Sequence, residues 1–263
     1  MQLKVLSWNL KYKMNNLDQI KLIRKMDADI YIFQEVHADF FRNLKKTGHF
    51  KWSAFSLNHR PPKMGENISR RMGCAVLGKK GYLINSKLLE TVKFTERTLL
   101  TKVNIGGEIF RFCSFHIPPG ATWKQVKPET MKKISQWLEN KKERTIFGID
   151  ANTPRFERFN FSENVWWWKD ERILMGENPT HNLRDVYREY LKNDPILLEK
   201  IKDKRPEGPL AISYQRGTGN KVYCRYDFIY TTHDLTPLEV DYLYNESLIA
   251  GSDHSLIITR LLY

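Results

Sequence analysis

Cysteine is scarce in this chain, with only Cys74, Cys113 and Cys224 in 263 residues. They lie far apart and form no Cys-x-x-Cys pair, which argues against a disulfide-stapled scaffold and a structural zinc site. Each sits in an apolar stretch and reads as a core thiol of a reducing compartment. No apolar run is long enough to cross a bilayer, and Leu3-Lys4-Val5-Leu6 is too short for a signal-peptide core. The expected location is the cytoplasm, where the glycosylation sequons at Asn67, Asn160 and Asn245 carry no meaning. Repeats, linkers and low-complexity segments are also missing, so a single domain over residues 1–263 is expected. No Walker loop, Gly-x-Ser-x-Gly or Gly-x-Gly-x-x-Gly is present, which removes the commonest nucleotide and hydrolase motifs. Acid is in deficit: 30 Asp+Glu face 43 Lys+Arg, a net charge of +13. Unless it serves only solubility, that excess favours a polyanionic partner, nucleic acid before membrane headgroups.

What is present centres on Phe147-Gly148-Ile149-Asp150-Ala151-Asn152-Thr153-Pro154. It reads as a buried strand that breaks at a carboxylate, with Gly148 permitting close backbone approach and Pro154 barring continuation. Asn152 can aim its amide at whatever Asp150 holds, although Gly-x-Asp-x-Asn is also a common turn. Other strand ends behave alike. Gln2 to Trp8 ends at Asn9, a helix covers roughly 16–26, and Ile30 to Phe33 ends in Gln34-Glu35, a crossover unit. A helix from Ala38 to Lys46, a strand over Trp52 to Leu57 and short strands flanking Gly78-Lys79-Lys80-Gly81 follow. Leu99–Ile105 and Glu108–Phe115 form a hairpin about Gly106-Gly107 and run into His116. An amphipathic helix over Pro128 to Asn140 precedes the central strand.

Arg155 to Thr180 mixes basic residues with Phe156, Phe159, Phe161 and Trp166-Trp167-Trp168. Such a loop can stack bases, or its tryptophans can plug onto the core. Asn182 to Leu191 reads as a helix, and Ala211–Gln215 and Val222–Tyr230 read as strands joined by Gly217-Thr218-Gly219-Asn220. The second carries Arg225 and Asp227, and a charge inside an apolar strand requires a partner. After a strand over Leu238 to Tyr244, Gly251-Ser252-Asp253-His254 leads into the last strand.

Asn9, Glu35, His116, Asp150, Asn152, Asp227, Asp253 and His254 thus form a set of strand-end residues. Carboxylates and amides without thiolates suit a hard divalent ion, Mg²⁺ or Mn²⁺, and histidines beside them suit phosphate.

In order, Ser7-Trp8-Asn9, Gln34-Glu35, Arg97-Thr98-Leu99-Leu100, Ser114-Phe115-His116, Gly148-Ile149-Asp150-Ala151-Asn152, Leu183-Arg184-Asp185, Arg225-Tyr226-Asp227-Phe228-Ile229 and Ser252-Asp253-His254 span nearly the whole chain. Together they resemble the endonuclease/exonuclease/phosphatase superfamily of metal-dependent phosphoesterases. The resemblance implies an α/β (α+β) four-layer sandwich, two packed, mostly antiparallel sheets flanked by helices, with the site at one end. It implies that Glu35 is the principal Mg²⁺ ligand, with Asn9 and Asp253 placing the ion. Asp150 would orient and deprotonate water, with Asn152 fixing it. His254, held by Asp227, would stabilise charge on the scissile phosphate, and His116 would contact phosphate.

Two departures stand out: Lys11 replaces the acid of many abasic-site relatives, and His116 stands near their tyrosine. These favour the deoxyribonuclease, sphingomyelinase and inositol-phosphatase branches. Arg70, Arg71, Trp167 and Arg225 are the expected substrate-binding residues. The expected activity is a nuclease-type phosphodiesterase. Its rivals are a headgroup phosphoesterase and a degenerate member that binds nucleic acid without cutting.

Overall fold

The computed structural model describes residues 1–14, 16–139, 143–217 and 221–263. Its first half runs β1 (Gln2–Asn9), α1 (Leu17–Met26), β2 (Ile30–Val36), α2 (Ala38–Lys46), β3 (Trp52–Phe55), α3 (Ser56–His59), β4 (Gly73–Gly78), β5 (Tyr82–Lys87), β6 (Thr98–Ile105) and β7 (Glu108–His116). There follow α4 (Gly120–Trp123), α5 (Val126–Leu138), β8 (Arg144–Asp150), α6 (Arg172–Met175), β9 (Leu183–Asp185), α7 (Val186–Lys192) and α8 (Pro195–Lys204). The chain closes with β10 (Tyr214–Arg216), β11 (Val222–Cys224), β12 (Asp227–Thr232), β13 (Thr236–Leu243), α9 (Tyr244–Ile249) and β14 (Leu256–Leu262). Two six-stranded sheets result, β13-β14-β1-β2-β4-β3 and β5-β6-β7-β8-β12-β9, with β10-β11 as a small separate pair.

Alternation along the strands explains the layers. Leu3, Val5, Ile30 and Ile32 face the second sheet and pack with Leu99, Val103, Phe110, Phe112 and Ile146. Their neighbours Leu6, Trp8, Tyr31 and Phe33 face outward and are covered by Ile23, Phe40 and Phe41 of α1 and α2. Across the molecule, Cys113, Phe115, Phe147 and Ile149 lie under Met131 and Ile134 of α5. Strands buried on both faces read as continuous apolar runs, and the stack is helix, sheet, sheet, helix.

Topology brings the polar strand ends together. Each sheet contains one parallel pair, β1 with β2 and β7 with β8, in registers that set Asn9 beside Gln34 and His116 beside Asp150. Parallel neighbours need a crossover, here supplied by α1 and by α4–α5. β12 runs antiparallel to β8, with Asp227 opposite Asp150, and β14 runs antiparallel to β1. The ends of β1, β2, β7 and β8 and the beginnings of β12 and β14 therefore reach the same edge of the sandwich. Just beneath it the sheets come very close, because a Cβ on Gly148 would sit 2.2 Å from Ser7 Oγ. Gln34 Nε2 donates to Ser7 Oγ at 3.4 Å and to Ser114 Oγ at 3.2 Å. This thin polar layer separates the dry core from the edge above.

Several expected elements differ. Gly106 and Gly107 do close the hairpin with φ of 62° and 90°. The helix expected from Asn182 instead begins at Val186, because Leu183–Asp185 pairs with β12 and Asp185 caps the helix through Tyr187 N and Arg188 N. The strand expected over Val222–Tyr230 is interrupted after Cys224, where Arg225 turns inward to Glu157 and Asp185. β4 and β5 do not pair; each joins a different sheet. Trp52–Leu57 is strand only to Phe55 and then turns into α3, and Tyr244 opens α9 instead of ending a strand. Asn140 and Thr218–Asn220 lie outside the described residues. No described helix is long and apolar enough to cross a membrane.

Candidate active site

Asp150 is the centre of the edge and is 1% exposed. Its Oδ2 accepts hydrogen bonds from Asn9 Nδ2 at 3.0 Å and Asn152 Nδ2 at 3.3 Å, and its Oδ1 accepts from Asn152 N at 3.1 Å. Asn152 achieves this with φ of 50°, a left-handed conformation that asparagine tolerates. The turn is held from below. Lys127 Nζ donates to Asn152 O at 2.8 Å and pairs with Glu171 at 2.6 Å, both side chains wholly buried. Glu171 also accepts from Thr153 Oγ1 at 2.5 Å and from Trp167 N at 3.2 Å.

Glu35 belongs to the other sheet. It sits at φ 51° where the β2–β4 register shifts between Phe33 and Val36, a bulge that re-aims its side chain. His116 Nε2 lies 3.4 Å from Glu35 Oε1 and 3.7 Å from Asp150 Oδ2, bridging the two sheets. Asp227 Oδ2 and His254 Nδ1 are hydrogen-bonded at 2.8 Å. Trp8 Nε1 donates to His254 O at 2.9 Å, and the Tyr214 ring packs 4.8 Å from the imidazole.

Burial governs the electrostatics. It pushes Asp150 up to about 7, with Asp227 and Glu35 adding to it and the His254 charge opposing. It raises Glu35 as well, against the neighbouring His254 charge and an Asn9 hydrogen bond. Burial alone would lower His254, but Asp227, Asp150 and Glu35 carry it up to about 10, so it stands as an imidazolium. His116 is held well below the usual range by burial and by the positive charges of Arg97 and His254, and is neutral.

Donor atoms of Glu35, His116 and Asp150 lie within 4.8 Å of one another, and so do those of Asp150, Asp227 and His254. His116 Nδ1 and Asp227 Oδ1 are buried without a hydrogen-bond partner. Buried carboxylates short of cationic partners, with oxygen donors and no thiol, fit a hard divalent cation.

Other expected site residues lie elsewhere. Asp253 does not join either donor group; its carboxylate pairs with Lys11 at 3.0 Å, so the lysine that replaces an acid holds it at the rim. Arg225 was expected to bind substrate, but it is 1% exposed and its guanidinium is spent on Glu157 and Asp185, each at 2.5 Å. Arg70 is half-buried, paired with Glu96 at 3.1 Å and laid over the Phe94 ring. Arg71 is exposed. Lys79 pairs with Asp27 just before β2, at the end of that strand remote from Glu35. The tryptophan run is mixed: Trp166 packs on the outer core, Trp168 is half-buried, and Trp167 is 41% exposed.

Three residues with a part here carry no role in the sequence reading. Arg97, 3% exposed, donates to Ser69 O and leaves Nη1 buried without a partner. A charge heading the apolar strand β6 was its signal. Lys127 falls one residue before the helix expected from Pro128, and its helical spacing from the buried Met131, Ile134 and Leu138 was its signal. Tyr214 carried no local signal.

The fold is similar to that of solved structures of TDP2, Nocturnin and endonuclease/exonuclease/phosphatase proteins. No protein-family model matches the chain, and neither does any curated protein; the likeness lies in solved structures. D. rerio TDP2, complexed with single-strand DNA product, superposes with TM-score 0.70 at 14% identity over 100% of this chain and 99% of that one. The human Nocturnin catalytic domain with bound sulfate gives 0.65 at 14% identity, covering 99% and 94%. An endonuclease/exonuclease/phosphatase from Bacteroides vulgatus gives 0.64 at 14% identity, covering 100% and 99%.

Proposed function

We propose that this protein is a divalent-metal-dependent phosphodiesterase that cuts nucleic acid. One observation carries the reading: a buried carboxylate, Asp150, is clamped by Asn9 and Asn152 between Glu35–His116 and the Asp227–His254 pair. Glu35 would hold the cation, Mg²⁺ or Mn²⁺, with Asn9 and His116 beside it, and the ion would supply Lewis-acid neutralisation of phosphate oxygens. The protein's own groups do the rest. Asp150, raised toward neutrality, accepts the proton of an attacking water, and its two amide partners fix the direction of its lone pairs. The His254 imidazolium, oriented by Asp227, neutralises charge growing on the phosphate. His116, uncharged, offers an N–H to a phosphate oxygen.

The net charge of +13 supports a polyanionic substrate, as does the structural likeness to a TDP2 complexed with single-strand DNA product. Three buried cysteines, none in a disulfide among the described residues, suit the cytoplasm. Nicking of plasmid and cleavage of a single-stranded oligonucleotide with Mg²⁺, with EDTA, and with Mg²⁺ restored is the test, run beside headgroup release from phosphoinositide vesicles. Metal-dependent cleavage without headgroup release is expected. EDTA-insensitive cleavage overturns the metal assignment, headgroup release alone overturns the substrate, and binding of plasmid and single-stranded oligonucleotide without cleavage of either overturns the enzyme.

A further inference from the structure

Four side chains outside the catalytic edge form a second feature. Arg155 Cζ lies 5.5 Å from the Phe156 ring centroid and 5.1 Å from that of Trp167. Arg216 Cζ lies 5.2 Å and 5.0 Å from the same two rings. Among the described residues neither arginine has a carboxylate partner, unlike Arg60, Arg70, Arg158, Arg188 and Arg225, each of which is paired. Two guanidiniums are thus held against rings with their hydrogen-bonding edges uncommitted.

The cluster is fixed in place and tied to the site. Phe156 and Val165 exchange backbone hydrogen bonds of 3.1 and 3.0 Å, closing the loop between them. Trp167 N is anchored on Glu171 Oε2 at 3.2 Å, and its side chain neighbours that of Tyr226. Tyr226 stacks on Tyr214 at 5.6 Å, and Tyr214 packs on His254. Arg216 stands two residues beyond Tyr214 on the same strand and so shares its face. Arg155 follows Asn152 by three residues. The ledge therefore adjoins the place where the scissile phosphate would meet His254.

We infer that Arg155, Phe156, Trp167 and Arg216 form a subsite for one unpaired nucleotide next to the scissile phosphate, so that the substrate is single-stranded or frayed. A guanidinium plane backed by an aromatic ring presents a flat face to a nucleobase, and its N–H edge suits phosphate. Bases inside a duplex have both faces covered by neighbours and cannot use such a ledge. A phosphoinositide headgroup would use the cations but has no flat face for the rings. The inference deepens the phosphodiesterase reading and rests on it for the position of the scissile group.

The test separates the two by measuring binding in EDTA, where no cleavage occurs. Anisotropy of labelled single-stranded and duplex oligonucleotides is followed against salt for the parent, Trp167→Ala, Trp167→Phe and Arg155→Gln/Arg216→Gln. Trp167→Ala should weaken single-strand binding by roughly 5- to 150-fold, leave duplex binding nearly unchanged, and be largely rescued by Trp167→Phe. The arginine pair should flatten the slope of log affinity against log salt by about 0.7 per lost phosphate contact. Melting temperature and circular dichroism of each variant show whether it is folded; the arginine pair carries the test should the Ala variant unfold. Equal losses for duplex and single strand overturn the subsite, as does an unchanged salt slope. Lost binding to phosphatidylcholine vesicles doped with phosphatidylinositol phosphate, with oligonucleotide affinity intact, assigns the ledge to a headgroup and overturns it too. A protein that shows ledge-dependent binding yet cuts no phosphodiester refutes the enzyme reading alone.

Discussion

Lys127→Met is the most informative single perturbation. Lys127 and Glu171 are both 0% exposed and 2.6 Å apart, so neither charge has water to fall back on. Removing one partner of such a pair leaves a buried uncompensated charge, a loss of ~3–5 kcal/mol. For a domain of this size that is a fall in melting temperature of roughly 6–20 °C. Glu171→Gln keeps an acceptor for Thr153 Oγ1 and Trp167 N while discarding the charge. The double variant Lys127→Met/Glu171→Gln should therefore be more stable than the sum of the single losses implies, by ~0.5–3 kcal/mol. Calorimetry or denaturant unfolding of the four proteins closes the cycle. A single Lys127→Met loss below about 1 kcal/mol, or strictly additive losses, would refute the idea that this pair clamps the turn after Asp150.

Three further outcomes are expected. Glu35→Gln should weaken Mg²⁺ binding in calorimetric titration and lower nicking; activity at saturating Mg²⁺ within about tenfold of the parent, a barrier change under ~1.4 kcal/mol, would remove Glu35 from the cation site. Asp150→Asn should cut turnover by ~10²–10⁴ while oligonucleotide affinity holds, and equal loss of both would make Asp150 a structural residue. His254 is raised from 6.5 to about 10, so its contribution to metal-free stability is full below pH 6.5 and is lost as pH rises through about 10. In Asp227→Asn, which removes the leading charge that raises it, that alkaline loss should be smaller and begin at lower pH in urea unfolding series; an unchanged profile contradicts the assignment.

Much of the edge was readable because the strands are buried on both faces. An uninterrupted apolar run that stops at Asn9, Glu35, His116 or Asp150 marks both the strand and its polar end. The need of Asp227 for a partner was also readable, and His254 is 2.8 Å away. What escaped depends on contacts distant in sequence. Arg225 sits next to the site in the chain, but Glu157, 68 positions away, draws it into the interior. Leu183–Asp185 is too short to display a period of two, and its strand conformation comes from pairing with Thr231 and its neighbours. The Lys79–Lys80 charge was legible, but the end of the sandwich on which it falls depends on strand direction.

The close approach at Gly148 also has a mechanical meaning. Glu35 rides on one sheet and Asp150 on the other, so the span between the two carboxylates is the opening of a pair of jaws hinged on the Ser7–Gly148 contact. A methyl group there acts as a shim: Gly148→Ala would spread the jaws without touching any polar group at their tips. A cation held by Glu35 of one sheet beside His116 of the other would equally be a rivet joining the two plates. Amide hydrogen exchange at the ends of β2 and β8 should then slow when Mg²⁺ is added, and the shimmed variant should lose most of that slowing. Equal exchange with and without the ion would show that the plates are already fastened by their apolar core alone.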